Sequence, residues 1–447
     1  MSLDIKKNNI FTKSLYRPEI DGLRAFAVIP VIINHFNKEI LPNGYLGVDI
    51  FFVISGFVIT SSLYQRPSKN FKDFISGFYE RRIKRLVPAL SVFVLIMSIA
   101  ICLFNPIPTL SLRTGLTSLF GLSNIYLLKQ STDYFAQSTE LNVFTHTWSL
   151  GVEEQFYILF PFLIWFSGFG RQAKNGARNL FLIVGALTIA SLIGFIYLYT
   201  LNQPAAYFLM PSRFWEMASG CLLFIGFQKS KYIEQLLERV PPLLVMALIF
   251  GLMYLPVSLA TTSTIAVVIL SLILISSLKK QTTAYTIFTH PKVVYIGLIS
   301  YSLYLWHWGV LSISHWTISI HWWSVPFQVA IMFGLAFASY RYIETPLRKE
   351  NWFGKRWITI SIGGLIIFTT ASSILLIRKK VPILMLGKPI AMQGSVSSQE
   401  ECTYGRPEDC LNRDNNLPSV FAIGDSHLMN YAPSMRSALS ELSMQFY

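Results

Sequence analysis

The sequence predicts an all-α polytopic membrane protein of about 11 transmembrane helices, followed by the beginning of an α/β domain outside the membrane. Three observations carry this. Apolar residues make up 53% of the 447-residue chain and charged residues only 13%, and mean hydropathy is positive. Long apolar runs recur from residue 23 to residue 377. Basic residues gather in alternate loops between those runs. A soluble chain could not cover so much apolar side chain with its own surface, whereas a bilayer accepts it directly.

A hydrocarbon core of roughly 30 Å takes about 20 apolar residues of helix. Runs of that kind lie near Leu23–Phe36, Gly47–Leu63, Leu86–Phe104, Thr147–Phe166, Leu180–Thr200, Pro211–Phe227, Pro241–Pro256, Thr262–Leu278, Val293–Ile313, Trp323–Ile343 and Trp357–Ile377. The first is short and extends inward through Asp21. With the N-terminus in the cytoplasm, the loop after the second run carries Arg66, Lys69, Lys72, Arg81, Arg82, Lys84 and Arg85. Later loops on that side add Arg171, Lys174, Arg178, Lys229, Lys231, Arg239, Lys279, Lys280 and Lys292, then Arg348, Lys349, Lys355 and Arg356. The opposite loops hold only Lys38, Arg113 and Lys129. The positive-inside rule fixes this orientation. It also accounts for most of the +14 net charge as topology, with no nucleic-acid partner.

An odd number of spans leaves the chain after Ile377 outside, although Arg378-Lys379-Lys380 is a mild exception there. The polar N-terminus argues against a cleavable signal peptide. From Met392 the composition turns to Ser, Gln, Glu, Asp, Asn and Pro, which reads as a linker into a second domain. Cys102 and Cys221 lie in apolar runs and read as small core residues. Cys402 and Cys410 lie in the outside tail, where a disulfide is permitted by compartment. No metal-binding spacing, dinucleotide fingerprint, P-loop or internal repeat is present, so no metal is expected.

Ionisable groups inside apolar runs are costly and are functional candidates by default. Arg24 and His35 share the first run with ten residues between them, about 16 Å along a helix. Arg24 thus falls near the cytoplasmic face and His35 near the outer one. Two readings stand for each. Arg24 either binds a ligand or snorkels to headgroups, and His35 is either reactive or a satisfied residue at the helix exit. Arg82 and Arg85 are three apart and share a helix face, and paired guanidinium forks suit phosphate. Positive-inside anchoring is the plainer alternative. Glu153 and Glu154 sit in the fourth run, and their 100° offset lets only one face a shared cavity. His146 opens that run. Arg213 and Glu216 in the sixth are three apart and fit an internal ion pair. His307 lies in an aromatic stretch that reads mainly as an interface belt. His315 and His321 read as outer-loop residues.

The arginines therefore gather inside, and the imidazoles and carboxylates outside. An anionic donor held inside and an uncharged acceptor outside would require that polarity, with a neutral histidine taking a hydroxyl proton.

At these residues the chain resembles the acyltransferase-3 family of membrane acyltransferases. The family's basic-residue, ten-residue, histidine signature falls on Arg24 and His35, and its R-x-x-R signature on Arg82 and Arg85. Gly44–Phe57, Trp148–Tyr157 and Tyr301–His307 are also similar, so the likeness runs from about residue 15 to 350. It implies transfer of an acetyl group from cytoplasmic acetyl-CoA, as co-substrate, to a hydroxyl of an envelope glycan such as O-antigen. Arg24, Arg82 and Arg85 would hold CoA phosphates. His35 would be the catalytic base or relay the acyl group, and Glu153 would join the catalytic set. The domains expected are a membrane domain at 1–350, an added transmembrane helix at 351–380, a periplasmic linker at 381–416 and a second domain beginning at 417.

Pro418–His427 resembles the first block of SGNH hydrolase-like domains, a short apolar strand turning into the helix Leu428–Leu439. There Ser426 would be the nucleophile. The alternative is that Asp425 or Ser426 only caps that helix. Such a domain needs a later Asp-x-x-His pair, and none follows His427. The expectation is a second domain that is cut short or vestigial.

The reading is a bacterial inner-membrane O-acetyltransferase whose partners are the bilayer, acetyl-CoA and a glycan. No residue pattern specifies an oligomeric state. The rivals are a polytopic transporter, against which the lack of an inverted repeat or matched broken helices counts, and a non-catalytic scaffold for polysaccharide assembly.

Overall fold

The computed structural model describes residues 16–66, 68, 70–130, 137–229, 239–350, 352, 354–379, 419–420 and 445–446. The chain forms two compact units, Met1–Val381 and Pro382–Tyr447. Among the described residues the first unit is entirely helical. The helices that frame the site are α1 (Pro18–Phe36), α2 (Gly47–Tyr64), α3 (Phe71–Phe104), α4 (Trp148–Phe166), α5 (Gly176–Leu201) and α6 (Met210–Lys229). They continue as α7 (Pro242–Met253), α8 (Ala260–Ser277), α9 (Pro291–Leu298), α10 (Ser300–Trp316), α11 (Val325–Ala338) and α12 (Arg356–Lys379).

Local sequence explains the helix starts. α1 opens with Pro18 in its first turn, where the missing N–H is not needed, and with Glu19 and Asp21 against the positive end of the helix dipole. α3 is capped by the Asn70 side chain, which accepts from the Asp73 N–H at 2.9 Å. At 34 residues α3 is about 51 Å long, well beyond a bilayer core. Its apolar part from Leu86 onward measures about 28 Å, so the arginine-rich first half belongs to the membrane boundary.

Each expected apolar run coincides with a helix or a helix pair. Five helices are long and apolar enough to cross a membrane: Gly44–Tyr64, Phe71–Phe104, Gly176–Leu201, Val257–Ser277 and Arg356–Lys379. The pair α9 and α10 makes a sixth if counted as one span. The chain is thus a multi-pass membrane protein. Four of the remaining five runs fall short of that measure for visible reasons. α7 has only 12 residues. α1 contains Glu19, Asp21 and Arg24, α4 contains Glu153 and Glu154, and α6 contains Arg213 and Glu216.

One run differs from expectation. Val293–Ile313 is not continuous but bends by 67° between Leu298 and Ser300. Gly297 lies against α1 so closely that a Cβ there would sit 1.7 Å from the Asp21 carbonyl oxygen. α9 therefore lies along α1, and the chain turns at Ile299 into α10. A second unexpected feature is a π-helical turn, Ser339–Glu344, that continues α11.

Backbone contact also explains the glycine-rich stretch before and within α2. A Cβ at Gly47 would meet the Ala27 carbonyl oxygen at 2.1 Å, and one at Gly56 the Met217 carbonyl oxygen at 1.7 Å. These positions seat α2 between α1 and α6, as small residues do at helix contacts in membranes. Cys102 and Cys221 are free and buried, as core residues should be.

In the second unit, Ser419–Val420 pairs in parallel with Gln445–Phe446. The expected helix Leu428–Leu439, Ser426, Cys402 and Cys410 lie outside the described residues.

Candidate active site

Five helices enclose a cavity with about 80 Å³ of water-accessible space. Arg24 comes from α1, and Val48, Phe51, Phe52, Ser55 and Val58 from α2. Arg82, Arg85 and Leu86 come from α3, Ser149, Leu150, Glu153 and Tyr157 from α4, and Ser300, Tyr301 and Tyr304 from α10. Steps of three and four residues recur on each helix that contributes more than one residue, as one face must present them. The cavity thus collects Arg24, Arg82 and Arg85 and, contrary to the expected grouping of carboxylates with the outer imidazoles, Glu153 with them. Of the two adjacent glutamates, only Glu153 lines it.

The arginines are held differently. Arg24 donates through Nη1 to Asp21 Oδ1 at 2.7 Å, and the Tyr16 hydroxyl donates to Asp21 Oδ2 at 2.8 Å. Tyr16 precedes the first helix, and desolvation with the Asp21 bond pushes its hydroxyl up to about 12, so it stays a donor. Arg82 lies 4.1 Å from the centre of the Tyr157 ring, a cation–π stack. Arg85 has its Nε buried with no hydrogen-bond partner. A buried guanidinium N–H left unmade is costly. Glu153 is the one carboxylate lining the space. Its Oε1 accepts from the Tyr157 hydroxyl at 2.9 Å and from Ser55 Oγ.

His35 does not line this cavity. Its Nδ1 lies 3.0 Å from His307 Nε2, the rings stack with 5.2 Å between centroids, and Trp308 meets His35 edge-on at 4.6 Å. His146 packs beside His307 and Trp308 at 5.8 and 6.0 Å. Tyr304 stands between the two groups. It lines the arginine cavity, its ring lies 5.3 Å from His307 and 5.4 Å from His146, and its hydroxyl bonds Ser149 Oγ at 2.7 Å and the His146 carbonyl at 3.0 Å.

The hydrogen bonds assign the tautomers. His307 Nδ1 lies 3.2 Å from the Leu303 carbonyl, which can only accept. A neutral His307 therefore carries its proton on Nδ1 and offers a lone pair at Nε2. The proton between the rings then belongs to His35 Nδ1. In the neutral His35 the lone pair then lies on Nε2.

Arg213 and Glu216 form the expected ion pair, but with a third member. Arg213 Nη1 donates to Glu216 Oε1 at 2.5 Å and to Asp49 Oδ1 at 2.8 Å, and all three are buried. Arg213 also packs over Tyr207 at 4.7 Å. The triad ties α2 to α6 directly behind Val48, Phe51 and Phe52. Tyr304, Ser149, Tyr157 and Asp49 lay in stretches noted in the sequence without being singled out. The spacing of Ser149, Glu153 and Tyr157 was the signal that could have grouped three of the cavity residues.

These features define a polytopic membrane protein with a cationic cavity at one depth and an imidazole cluster beyond it. A family profile described as an acyltransferase domain matches residues 17–341, and the chain belongs to that family. O-acetyltransferase OatA of Staphylococcus aureus strain NCTC 8325 is 31% identical over 378 residues, covering 78% of this chain and 60% of that protein. The provisionally named O-acetyltransferase SAS0844 of strain MSSA476 is 32% identical over 366 residues with the same coverage. The chain thus spans about 60% of the length of these relatives. No solved structure matches.

Proposed function

We propose that this protein transfers an acetyl group from acetyl-CoA, bound from the cytoplasm, to a hydroxyl of an envelope glycan. One observation carries the reading: three guanidiniums line one cavity, and a hydrogen-bonded histidine pair lies beyond its Tyr304 wall. Arg24, Arg82 and Arg85 hold the donor's phosphates, for which the unpartnered Nε of Arg85 is a ready donor. The pantetheine arm then runs past Tyr304 toward His35. There the acceptor oxygen bonds to the thioester carbonyl carbon and the carbon–sulfur bond breaks. The hydroxyl proton passes to His35 Nε2 and on to the departing thiolate, leaving free CoA and an ester. Glu153 sets Tyr157 beneath Arg82 and keeps the cavity from excess positive charge.

In this reading all eleven runs span a bacterial inner membrane, with the N-terminus cytoplasmic and the tail periplasmic. The basic loops support that orientation. Ser426 lies on the delivery side and receives or hands on the acetyl group in an SGNH-like domain. The parallel strand pair at Ser419–Val420 is compatible with such a domain.

The bent pair α9 and α10 is the one feature that suits the rival transporter reading, since transporters use broken helices at their sites. Among the described residues it has no matched partner elsewhere in the bundle, and family membership favours group transfer.

The test is radiolabelled acetyl-CoA supplied to the cytoplasmic face of sealed vesicles. Label should appear on glycan at the opposite face, and no label should appear when the donor is sealed inside the wrong compartment. Substrate movement without label transfer would replace this reading with the transporter.

A further inference from the structure

α3 carries a guanidinium that the arginine cavity does not use. Arg81 precedes Arg82 and points about 100° away from it around the helix. It faces a separate cavity that it lines with Arg66, Ser68, Asp73, Gly77 and Arg356. That space admits water over about 280 Å³. A single water needs only about 10–15 Å³ by such a measure, so a phosphate group has ample room.

The arginines converge rather than fan outward. A Cβ at Gly77 would come within 3.2 Å of Arg356 Nη1 and 3.3 Å of Arg81 Nη1. Two guanidinium tips thus share one small patch of helix surface over Gly77. Arg356 is partly neutralised by Asp73, with Glu80 Oε2 3.4 Å from its Nε. Neither Arg66 nor Arg81 has an ion-pair partner among the described residues, so the lining keeps an excess of positive charge. Ordinary topology anchors have no reason to gather like charges around a hollow.

The placement is also specific. Arg356 opens α12, beyond residue 341 where the family match ends. α12 lies along α3 tightly enough that a Cβ at Gly363 would meet Ile83 Cγ2 at 2.3 Å. The added helix therefore brings the third arginine to two that the family domain supplies.

We propose that this cavity is a second phosphate-binding site, formed by Arg66, Arg81 and Arg356 between α3 and α12. Forked guanidiniums around one hollow suit the tetrahedral oxygens of a phosphate ester. That chemistry has two sources at this membrane boundary: the nucleotide end of CoA and the headgroup of an anionic phospholipid. The nucleotide source rests on the donor reading above, and the lipid source does not.

The experiment uses the full chain in phosphatidylcholine nanodiscs, with Arg66→Gln and Arg81→Gln. Arg66 lies in a loop after α2 and makes no bond that folding depends on, so at least one variant is expected to fold. One arm titrates adenosine 3′,5′-bisphosphate. The other adds phosphatidic acid and counts retained lipid by native mass spectrometry. Each substitution is expected to weaken one probe by about tenfold or more, the usual scale for a lost charge-assisted hydrogen bond. Weakening confined to the nucleotide identifies the donor's phosphates, and weakening confined to the lipid identifies a headgroup. Equal binding of both probes by wild type and variants, or no binding of either by wild type, overturns the site. A wild type that holds phosphatidic acid but not the nucleotide fails the donor reading while leaving this site standing.

Discussion

His35 Nδ1 lies 3.0 Å from His307 Nε2, two residues separated by 272 positions in the chain. The bond makes His307 the group that fixes the tautomer of His35, because His307 Nδ1 is turned to the Leu303 carbonyl. A base needs its lone pair aimed at the hydroxyl, and this relay leaves that lone pair on Nε2. His35→Ala should lower acetyl transfer by roughly 10²-fold or more, the usual scale for a lost general base, with normal membrane insertion. His307→Phe should lower kcat while leaving the KM for acetyl-CoA near wild type, because it removes orientation and not donor contacts. His307→Gln keeps a polar partner and should restore part of the rate. Equal rates for His307→Phe and wild type would make the pair a packing contact.

Arg85 should be the most sensitive to substitution of the three arginines that line the cavity, since its Nε is buried without a partner. Arg85→Ala and Arg82→Ala should both raise the apparent KM for acetyl-CoA more than they lower kcat. Phosphates remote from the thioester contribute similarly in ground and transition states. Lysine should rescue only partly at either position, because an ammonium cannot form the fork. At Arg82 it would also lose much of the stack on Tyr157. Unchanged CoA affinity in a direct titration would return both residues to topology anchors.

Glu153 sits among those arginines with Ser55 and Tyr157 on one oxygen. Glu153→Gln removes a negative charge from a cationic cavity, so CoA binding should hold or tighten. Turnover should fall by about tenfold or more if the carboxylate takes part in proton movement. Steady-state kinetics with acetyl-CoA separate the two effects. A variant with wild-type kcat would confine Glu153 to holding Tyr157 in place.

Much of this site was legible because charge in an apolar run is expensive. That rule alone picked out Arg24, His35, Glu153, Arg213 and Glu216, and spacing paired Arg82 with Arg85. What sequence could not show was partnership across the bundle. Asp49 meets Arg213 from 164 positions away, and no local pattern announces it. Tyr304 was hidden for a different reason: one wall residue in an aromatic-rich stretch looks like any interface ring. The run ending at Ile313 read as one helix because its bend adjoins a contact between distant segments, Gly297 against Asp21, that no local pattern announces. The separation of His35 from the arginine cavity fits the half-bilayer offset expected from their spacing on α1.

Ser426 should act only after acetyl-CoA has been handled by the helical unit. Ser426→Ala should leave acetyl-CoA binding unchanged and reduce only delivery to glycan. A serine without a nearby base is a weak nucleophile, so the effect should appear only where an Asp-x-x-His partner is present. The measurements are CoA titration and glycan acetylation on the same preparations, with and without a partner domain added in trans. Full glycan acetylation by Ser426→Ala under both conditions would make the tail a spacer.

The buried triad gives a prediction about stability in place of chemistry. Arg213 balances Asp49 and Glu216 inside the bundle, so Arg213→Met leaves two buried carboxylates without a cation. Breaking a buried ion pair by removing one partner typically costs about 3–5 kcal/mol. The protein should therefore lose thermal stability in detergent and accumulate poorly. Glu216→Gln leaves a one-to-one pair of Arg213 and Asp49 and should be far milder. The pair of variants separates a structural pin from a site residue. Stability should fall in Arg213→Met, while Glu216→Gln should keep the wild-type KM for acetyl-CoA. If Glu216→Gln instead folds normally and loses transfer, the triad belongs to the proton path, and Asp49 on the wall-forming helix α2 becomes the next residue to test.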